Sequence, residues 1–189
     1  MKGQLTTFLI VILLFAGCTK KTPAPETPSF PEELKTTVLR VDKNGLTFLT
    51  ALLKTVHGKI EIKFYSREAP KSVTQFIGLI KRGFYDGLKF HRVIPKFIIQ
   101  SGDPTMTGRG GSGTLLKGEF NSIPHIKGTV ALAHGEDPDS SDSQFYIALT
   151  TLPHLDGKYT VIGQVVKGME VIDKISKNDV IVSFSVKKR

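Results

Sequence analysis

The sequence predicts a mostly β domain that closes into a barrel and is covered by two helices. Residues 59–65 and 180–186 alternate apolar with polar side chains, which is the two-residue period of a half-buried strand. Between them lie short apolar runs separated by Gly, Pro and Asp rather than by helical patterns: residues 130–133, 144–149 and 159–166. Two other segments have the period of an amphipathic helix. With 189 residues and 40% hydrophobic content, the chain is expected to form one globular domain.

The first 17 residues are predicted to be an export signal. Lys2 supplies a positive start, and an unbroken apolar run of nine residues follows at 8–16. A membrane-spanning helix needs about 20 apolar residues, so this run is too short for a lasting span. Residues 15–18, Phe-Ala-Gly-Cys, resemble the bacterial lipoprotein signal, in which the Cys thiol receives diacylglycerol and becomes the new N-terminus. Phe15 departs from the usual Leu, and an incidental Cys18 after an ordinary signal is the alternative.

Residues 18–35 are predicted to be the lipidated Cys18 and a Pro-rich tether, with the folded domain at 36–189. Prolines and a scarcity of large apolar residues favour an extended segment; the prolines are Pro23, Pro25, Pro28 and Pro31. A polyproline-like chain rises about 3.1 Å per residue, so the tether reaches roughly 40 Å. The domain is therefore expected to work clear of the lipid surface.

Turn and helix signals place the elements of the domain. Asn44–Gly45 between two apolar runs predicts an N-terminal hairpin over 38–49, because both turn residues tolerate positive φ. Pro70 opens and Gly83 closes a helix whose apolar residues recur at i, i+3, i+4 and i+7: Val73, Phe76, Ile77 and Ile80. A second, short helix is predicted over 169–176.

The composition argues against nucleic-acid binding. The formal net charge is +9, but Lys and Arg are scattered, Trp is absent, and no series of stacking aromatic residues accompanies them. A solvated basic surface is the favoured interpretation, and attraction to anionic lipid or envelope polymers is the alternative. Cys18 is the single cysteine, so no intramolecular disulfide can form.

Three patterns suggest cofactor or metal sites, and each fails on its context. Residues 108–113 satisfy G-x-G-x-x-G, yet they lack the preceding strand and following helix of a dinucleotide-binding turn, so a flexible loop is predicted. The acidic segment 136–142 lacks the central Gly and the closing Glu of a calcium loop. The five histidines form no i, i+4 pair and have no Cys partner. No metal and no cofactor are therefore expected.

An ordered set of motifs carries the chemistry. F-H-R at 90–92, Q-S-G-D at 100–103, S-Q-F at 143–145 and L-D-G-K at 155–158 occur at intervals that resemble the cyclophilins, over about residues 58–175. The resemblance implies a closed eight-stranded antiparallel barrel capped by two α-helices. It also implies peptidyl-prolyl cis/trans isomerase activity, with the active groove on the outer face of the barrel.

Matching positions assign the site residues. The resemblance implies three catalytic residues: Arg92, Gln100, which positions it, and Phe97 in the wall of the proline pocket. The implied substrate-binding residues are Ile98, Ala133, His134, Gln144, Tyr146, Leu155 and Tyr159. Ala133 and His134 match positions whose backbone receives the extended substrate.

Three positions depart from the family pattern. Tyr146 stands where Phe is frequent, so its hydroxyl needs water or a partner at the pocket floor. His154 stands where cyclophilins that bind cyclosporin tightly have Trp, which argues against strong inhibition by that drug. His134 replaces a frequent Asn, and its side chain is predicted to matter little because the expected contact is through backbone.

The chemistry also follows from the residue types. Rotation about an X-Pro bond faces a barrier of about 18–20 kcal/mol because amide resonance is lost at the perpendicular geometry. The prolyl nitrogen then regains a lone pair and becomes a hydrogen-bond acceptor. A guanidinium such as that of Arg92 is always a donor, so it can bind this nitrogen selectively in the twisted state. An apolar pocket can hold the proline ring while the rest of the peptide rotates.

The expected function is therefore isomerisation of proline-containing polypeptides, extended or unfolded, in the cell envelope. The alternative is a membrane-anchored module that binds proline peptides as a chaperone or adhesion contact, with incidental turnover. Arg92 and Gln100 favour the enzyme, since peptide holding alone needs no donor aimed at the twisted nitrogen. The expected location is the periplasmic face of a membrane, or the outer surface where there is no outer membrane. The sequence does not distinguish attachment to an inner membrane from attachment to an outer membrane. A monomer is expected.

Overall fold

Eight antiparallel strands and two helices make up the domain over the residues that the structure describes. The computed structural model describes residues 49–187, so the predicted export signal, Cys18, the tether and the hairpin before Leu49 lie outside them. The strands are β1 (Leu49–Thr55), β2 (Gly58–Phe64), β3 (Arg92–Ile94), β4 (Ile98–Ser101), β5 (Thr129–Leu132), β6 (Phe145–Ala148), β7 (Val161–Lys167) and β8 (Ile181–Val186). The helices are α1 (Pro70–Lys81) and α2 (Met169–Ile172), and a 3-10 turn covers Pro153–Leu155. The mostly β prediction with two helices is confirmed.

The sheet is open at one seam. Its strand order is β3-β4-β6-β5-β7-β2-β1-β8, which leaves β3 and β8 as the two edges. Within residues 49–187 one isolated bridge, Lys89 to Val180, joins these ends, and no strand ladder does. The prediction of a closed barrel is therefore wrong. The reason is that β3 has only three residues, and the chain before it, not β3 itself, bonds to the segment preceding β8, for example from the Phe90 N–H to the Asp179 carbonyl at 3.0 Å.

The helix α1 forms as the sequence predicts and is capped from a distant loop. Its apolar face is buried, and the chain leaves the helix at Gly83, whose φ of 69° suits a residue without a Cβ. Glu119 accepts hydrogen bonds from the backbone N–H groups of Lys71 at 3.1 Å and Ser72 at 2.7 Å. A carboxylate at a helix N-terminus is stabilised by the helix dipole. The second helix, α2, is shorter than predicted and ends at Ile172.

The strands β2 and β8 lie where alternation predicts them. β2 buries Ile60, Ile62 and Phe64 on one face. β8 buries Ile181 and Phe184, which are three residues apart because the pairing register between β1 and β8 shifts. A bulge of this kind turns a strict alternation into an uneven one.

The main core lies on the inner face of the sheet, against α1. Phe76 on α1 contacts four aromatic rings at centroid distances of 4.9 to 5.8 Å: Phe64, Tyr85, Phe145 and Phe184. Such pairs add about 0.5–1.5 kcal/mol each beyond their burial. The Tyr85 hydroxyl donates to the Ser143 carbonyl at 3.0 Å, so the core fixes the chain where β6 begins.

Candidate active site

The strands β4, β5, β6 and β7 carry a second apolar cluster on the outer face of the sheet. On β6, Phe145 and Ile147 pack in the main core, whereas Tyr146 and Ala148 pack in the outer cluster. We call this outer set the groove cluster. Its buried members are Ile98, Ala131, Tyr146, Ala148, Leu152 and Val161, and its partly buried rim is Tyr65, Phe97, Ile123, Ala133, Leu155 and Tyr159. An apolar patch with a polar border is typical of a binding surface.

Strand register places a charged group and the groove cluster in one row. Arg92 lies opposite Gln100, Gln100 opposite Tyr146, and Tyr146 opposite Ala131. Directly opposed residues project from the same face of a sheet. The row therefore crosses β3, β4, β6 and β5 on the outer face, with the guanidinium at one end and apolar side chains at the other.

A chain of side-chain amides holds Arg92. Its Nη1 donates to Gln100 Oε1 at 3.2 Å, and Gln100 Nε2 donates to Gln144 Oε1 at 2.9 Å. Gln144 Nε2 then donates to the carbonyls of Gly108 at 3.0 Å and Gly110 at 2.8 Å. We call the side chains of Gln100 and Gln144 the amide relay.

The direction of the amide relay is set at both ends. A guanidinium only donates, so Gln100 must turn its oxygen toward Arg92. Backbone carbonyls only accept, so Gln144 must turn its nitrogen toward the loop. One orientation of the two amides satisfies both ends. Since Gln100 and Gln144 are both buried, reversing either amide would leave polar atoms unpaired.

The loop that receives the amide relay is itself anchored by Asp103. This buried carboxylate accepts hydrogen bonds from the backbone N–H and the hydroxyl of Thr105, both at 2.7 Å, and from the Gly108 N–H at 2.5 Å. Burial alone would raise the pKa of Asp103, but the hydrogen bonds from Thr105, Gly110 and Gly108 lower it to about 2. The G-x-G-x-x-G segment thus acts as a fixed support for Gln144, with no helix after it.

Phe97 joins the charged and apolar parts of the site. The Arg92 guanidinium carbon lies 6.0 Å from the centroid of its ring, within cation–π range. His154 stacks on Phe97 at 6.0 Å with an interplanar angle of 8°. The 3-10 turn that carries His154 also brings Leu155 to the rim of the groove cluster.

The Tyr146 hydroxyl has a buried partner. His125 Nε2 lies 2.8 Å from this hydroxyl, and His125 Nδ1 lies 2.9 Å from Asp156 Oδ1. The same carboxylate oxygen accepts the His125 backbone N–H at 2.7 Å. His125 is therefore the partner that a Tyr at this position requires.

His134 contributes its side chain as well as its backbone. Its Nδ1 lies 2.8 Å from the Gly135 carbonyl and its Nε2 lies 2.9 Å from the Lys158 carbonyl. The ring stacks on Tyr159 at 4.4 Å. The side chain thus ties the strand end after β5 to the turn at 155–158, a structural contact that the sequence did not predict.

The structure brings the ten predicted site residues of the domain to one outer face: they belong to the groove cluster, to the amide relay with the Arg92 that it holds, or to the adjoining strand end. Sequence reasoning missed His125, and it gave no role to Asp156 or to the carbonyls of Gly108 and Gly110. Asp156 belongs to the L-D-G-K motif, so a signal for it existed. His125 had none, because its partners are 21 and 31 residues away. Among residues 49–187 no group of three or more potential ligands is placed to hold a metal ion.

Comparison with known proteins gives one family. A family model described as cyclophilin-type peptidyl-prolyl cis-trans isomerase matches residues 50–188. A peptidyl-prolyl cis-trans isomerase of Helicobacter pylori is 42% identical over 137 residues, which cover 70% of this chain and 83% of that protein. One from Schizosaccharomyces pombe is 46% identical over 127 residues, with 65% and 82% covered.

A solved structure shares the fold. The cyclophilin-type isomerase of Cryptosporidium parvum, crystallised in the presence of the dipeptide Ala-Pro, has a TM-score of 0.69 and 28% identity, and the match covers 74% of this chain and 99% of that one. In the part of the chain that the structure describes, no helix has the length and hydropathy needed to cross a bilayer.

Proposed function

The chain belongs to the cyclophilin family of peptidyl-prolyl cis/trans isomerases, and we propose that Arg92 promotes the reaction by donating a hydrogen bond to the prolyl nitrogen of the twisted X-Pro bond. The observation that carries this proposal is the amide relay, which holds a group that can only donate beside an apolar surface. The relay leaves Arg92 itself exposed at the outer face, where a substrate can reach it.

The groove cluster serves as the proline pocket in this proposal. Phe97, Ile98 and Leu155 provide apolar contacts for the pyrrolidine ring, and Tyr146 forms the floor. The Arg92 guanidinium carbon lies 6.0 Å from the centroid of the Phe97 ring, so a proline ring that packs on Phe97 lies on the side of the pocket next to the donor. The rest of the peptide can then rotate about a fixed proline.

Selectivity for the twisted state follows from the nitrogen's lone pair. In the planar amide that lone pair is delocalised, so Arg92 gains little from binding ground-state substrate. In the twisted state it accepts a charge-assisted hydrogen bond, which is worth about 1.5–3 kcal/mol. Since each 1.4 kcal/mol is a factor of about ten in rate, this contact supplies roughly ten- to hundredfold. The remaining acceleration comes from holding the ring and excluding water.

We propose extended or unfolded proline-containing polypeptides of the cell envelope as substrates. The Ala-Pro dipeptide used with the related parasite protein supports a proline-containing ligand. The Ala133 N–H donates to the Gln144 carbonyl at 2.9 Å, which keeps the strand end beside the pocket extended and so suited to an extended peptide.

The envelope location is a proposal from the sequence. The apolar run, the Phe-Ala-Gly-Cys segment and the Pro-rich tether support export and lipid attachment at Cys18. Cells given labelled palmitate should incorporate it into the intact chain and not into the Cys18→Ala variant. Equal labelling of the two proteins would refute attachment at Cys18.

The proposed mechanism is tested by the cis-to-trans rate of a short Ala-Pro peptide, with the full chain purified in detergent. Arg92→Ala should lower kcat/KM at least tenfold, and Arg92→Lys should not restore it because an ammonium lacks the planar fork that reaches both Gln100 and the substrate. Arg82→Ala, at an exposed arginine after α1, is the matched control. A fully active Arg92→Ala protein would refute the donor, and a folded wild-type chain that binds the peptide without turnover would favour the peptide-binding module.

A further inference from the structure

Three residues form a buried hydrogen-bonded chain behind the groove cluster. His125 is fully buried, and its two ring nitrogens face Asp156 Oδ1 at 2.9 Å and the Tyr146 hydroxyl at 2.8 Å. Its ring also stacks on that of Tyr146, with centroids 6.0 Å apart and planes 15° apart. The chain thus connects an exposed turn to a strand in the middle of the sheet.

The proton positions in this chain follow from the partners. The carboxylate of Asp156 only accepts, so His125 Nδ1 must donate to it. Hydrogen bonds from the backbone and ring of His125 lower the pKa of Asp156, which keeps it ionised. In the neutral ring, Nε2 then has the free lone pair, and the Tyr146 hydroxyl donates to it. Burial raises the pKa of Tyr146 above its usual range, so that proton stays on the tyrosine oxygen.

The chain acts on two sides of the proposed proline pocket at once. Asp156 directly follows Leu155, which lies on the rim of the groove cluster, and Tyr146 is one of its buried members. His125 therefore fixes the distance between the turn at 155–158 and β6. Its Nε2 also accepts the hydrogen bond of the Tyr146 hydroxyl, so that the pocket presents the ring of this tyrosine and not an unpaired polar group.

We propose that His125 is a positioning residue for the isomerase reaction. Asp156 holds its ring, and the ring binds the Tyr146 hydroxyl, which keeps the proline pocket closed on one side and apolar. This inference rests on the proposed assignment of the groove cluster as the proline pocket. It explains how a Tyr serves at a position where the family frequently has Phe: the extra hydroxyl is paired inside the protein.

The pairing predicts a specific pattern of kinetic effects. In His125→Leu, the Tyr146 hydroxyl loses its acceptor in apolar surroundings and turns toward the pocket or toward water. A buried polar group left without a partner destabilises a structure by more than the net contribution of a typical hydrogen bond. We therefore expect KM for an Ala-Pro peptide to rise about tenfold. The value of kcat should change less, since Arg92 and its relay are untouched.

A second substitution should rescue the first. In His125→Leu with Tyr146→Phe, no hydroxyl is left to bury, and replacing both partners by apolar groups is nearly neutral. Asp156 still accepts the backbone N–H of residue 125, so the turn at 155–158 stays attached in both variants. We expect KM to return to within about threefold of the wild-type value. Rescue by removing a hydroxyl distinguishes pocket positioning from a general loss of stability, which a second core substitution would worsen.

The matched control is His57→Leu. His57 also pairs with an aspartate, Asp179, at 2.7 Å, but it lies at the exposed turn between β1 and β2, outside the groove cluster. Its replacement should leave kcat and KM at wild-type values. All variants are assayed as the full chain in detergent, with the folded fraction measured by near-ultraviolet circular dichroism.

A spectroscopic measurement tests the geometry without any variant and without activity. Nitrogen-15 spectra of the wild-type imidazoles should show His125 with its proton on Nδ1 and with slow exchange of that proton with solvent. A His125 ring protonated on Nε2 alone would overturn the proposal, as would a folded His125→Leu protein with wild-type KM, or a double variant no better than the single one. An active Arg92→Ala protein would instead refute the donor mechanism and leave these results intact.

Discussion

Replacing Gln144 by Leu breaks the amide relay but leaves the charge of Arg92 in place. Gln144→Leu removes the acceptor of Gln100 Nε2 and the donor to the carbonyls of Gly108 and Gly110. Arg92 keeps its charge and its exposed position. Activity lost in this variant therefore reports on where Arg92 is held.

The magnitude follows from what is left unpaired. Gln100 is 8% exposed, so its amide N–H loses a partner in a place that water barely reaches, and we expect the free energy of unfolding to fall by about 1–3 kcal/mol. Gly108 is exposed, so its carbonyl can bond to water instead. Gln100 becomes free to rotate away from Arg92. Misplacing a catalytic group by about 1 Å costs on the order of a hundredfold, so kcat/KM should fall between about tenfold and a hundredfold.

The loss should appear in kcat more than in KM, because in the proposed mechanism Arg92 binds the twisted state and not the planar substrate. The assay is single-substrate kinetics of an Ala-Pro peptide with the full chain in detergent. Gln164→Leu is the matched control, because Gln164 also donates to a carbonyl, that of Lys127 at 2.9 Å, and accepts from Thr129 at 3.2 Å, but lies on β7 away from the relay. It should lose stability without losing kcat.

Two outcomes would refute this reasoning. If folded Gln144→Leu keeps the wild-type kcat and KM, the relay does not hold Arg92. If the whole loss is in KM, then Gln144 contacts the substrate directly and does not act through Gln100.

Two further predictions concern the support of the site. Asp103 has a folded-state pKa of about 2 against a usual 3.8, so its carboxylate contributes about 2 kcal/mol to the free energy of unfolding. This contribution is complete above pH 3.8 and is lost as the pH falls through 3.8 to about 2. Urea unfolding across this pH range should show the loss, and the same pH-dependent loss in Asp103→Asn would contradict its assignment to Asp103. Gly102→Ala should lower the free energy of unfolding by about 3 kcal/mol or more, because a Cβ there would lie 2.3 Å from the Ser143 carbonyl oxygen at a φ of 94°. Gly87→Ala, with a φ of 81° but open space around it, should lower the free energy of unfolding by only about 1–2 kcal/mol. Equal losses in the two variants would show that the backbone at Ser143 moves away from the new methyl group and that the clash costs nothing.

The sequence by itself determined the elements whose signals are local. The helix α1 follows from the spacing of Val73, Phe76, Ile77 and Ile80 between a proline and a glycine, and β2 from its two-residue alternation. Periodicity is a property of neighbouring residues, so it survives without knowledge of the fold. The ordered motifs likewise predicted Arg92, Gln100 and the apolar wall residues as candidates for the site, because each motif is a short run at a recognisable interval.

Only the tertiary structure decided how those residues act together. The direction of the amide relay depends on Gly108 and Gly110, which lie 36 and 34 residues from Gln144. The proposed role of His125 depends on partners 21 and 31 residues away. The open seam between β3 and β8 depends on how far a three-residue strand can reach. Hydrogen-bond direction and sheet closure depend on pairs of residues that are distant in sequence. A local sequence pattern does not specify these pairs, because the same pattern is compatible with many different partners.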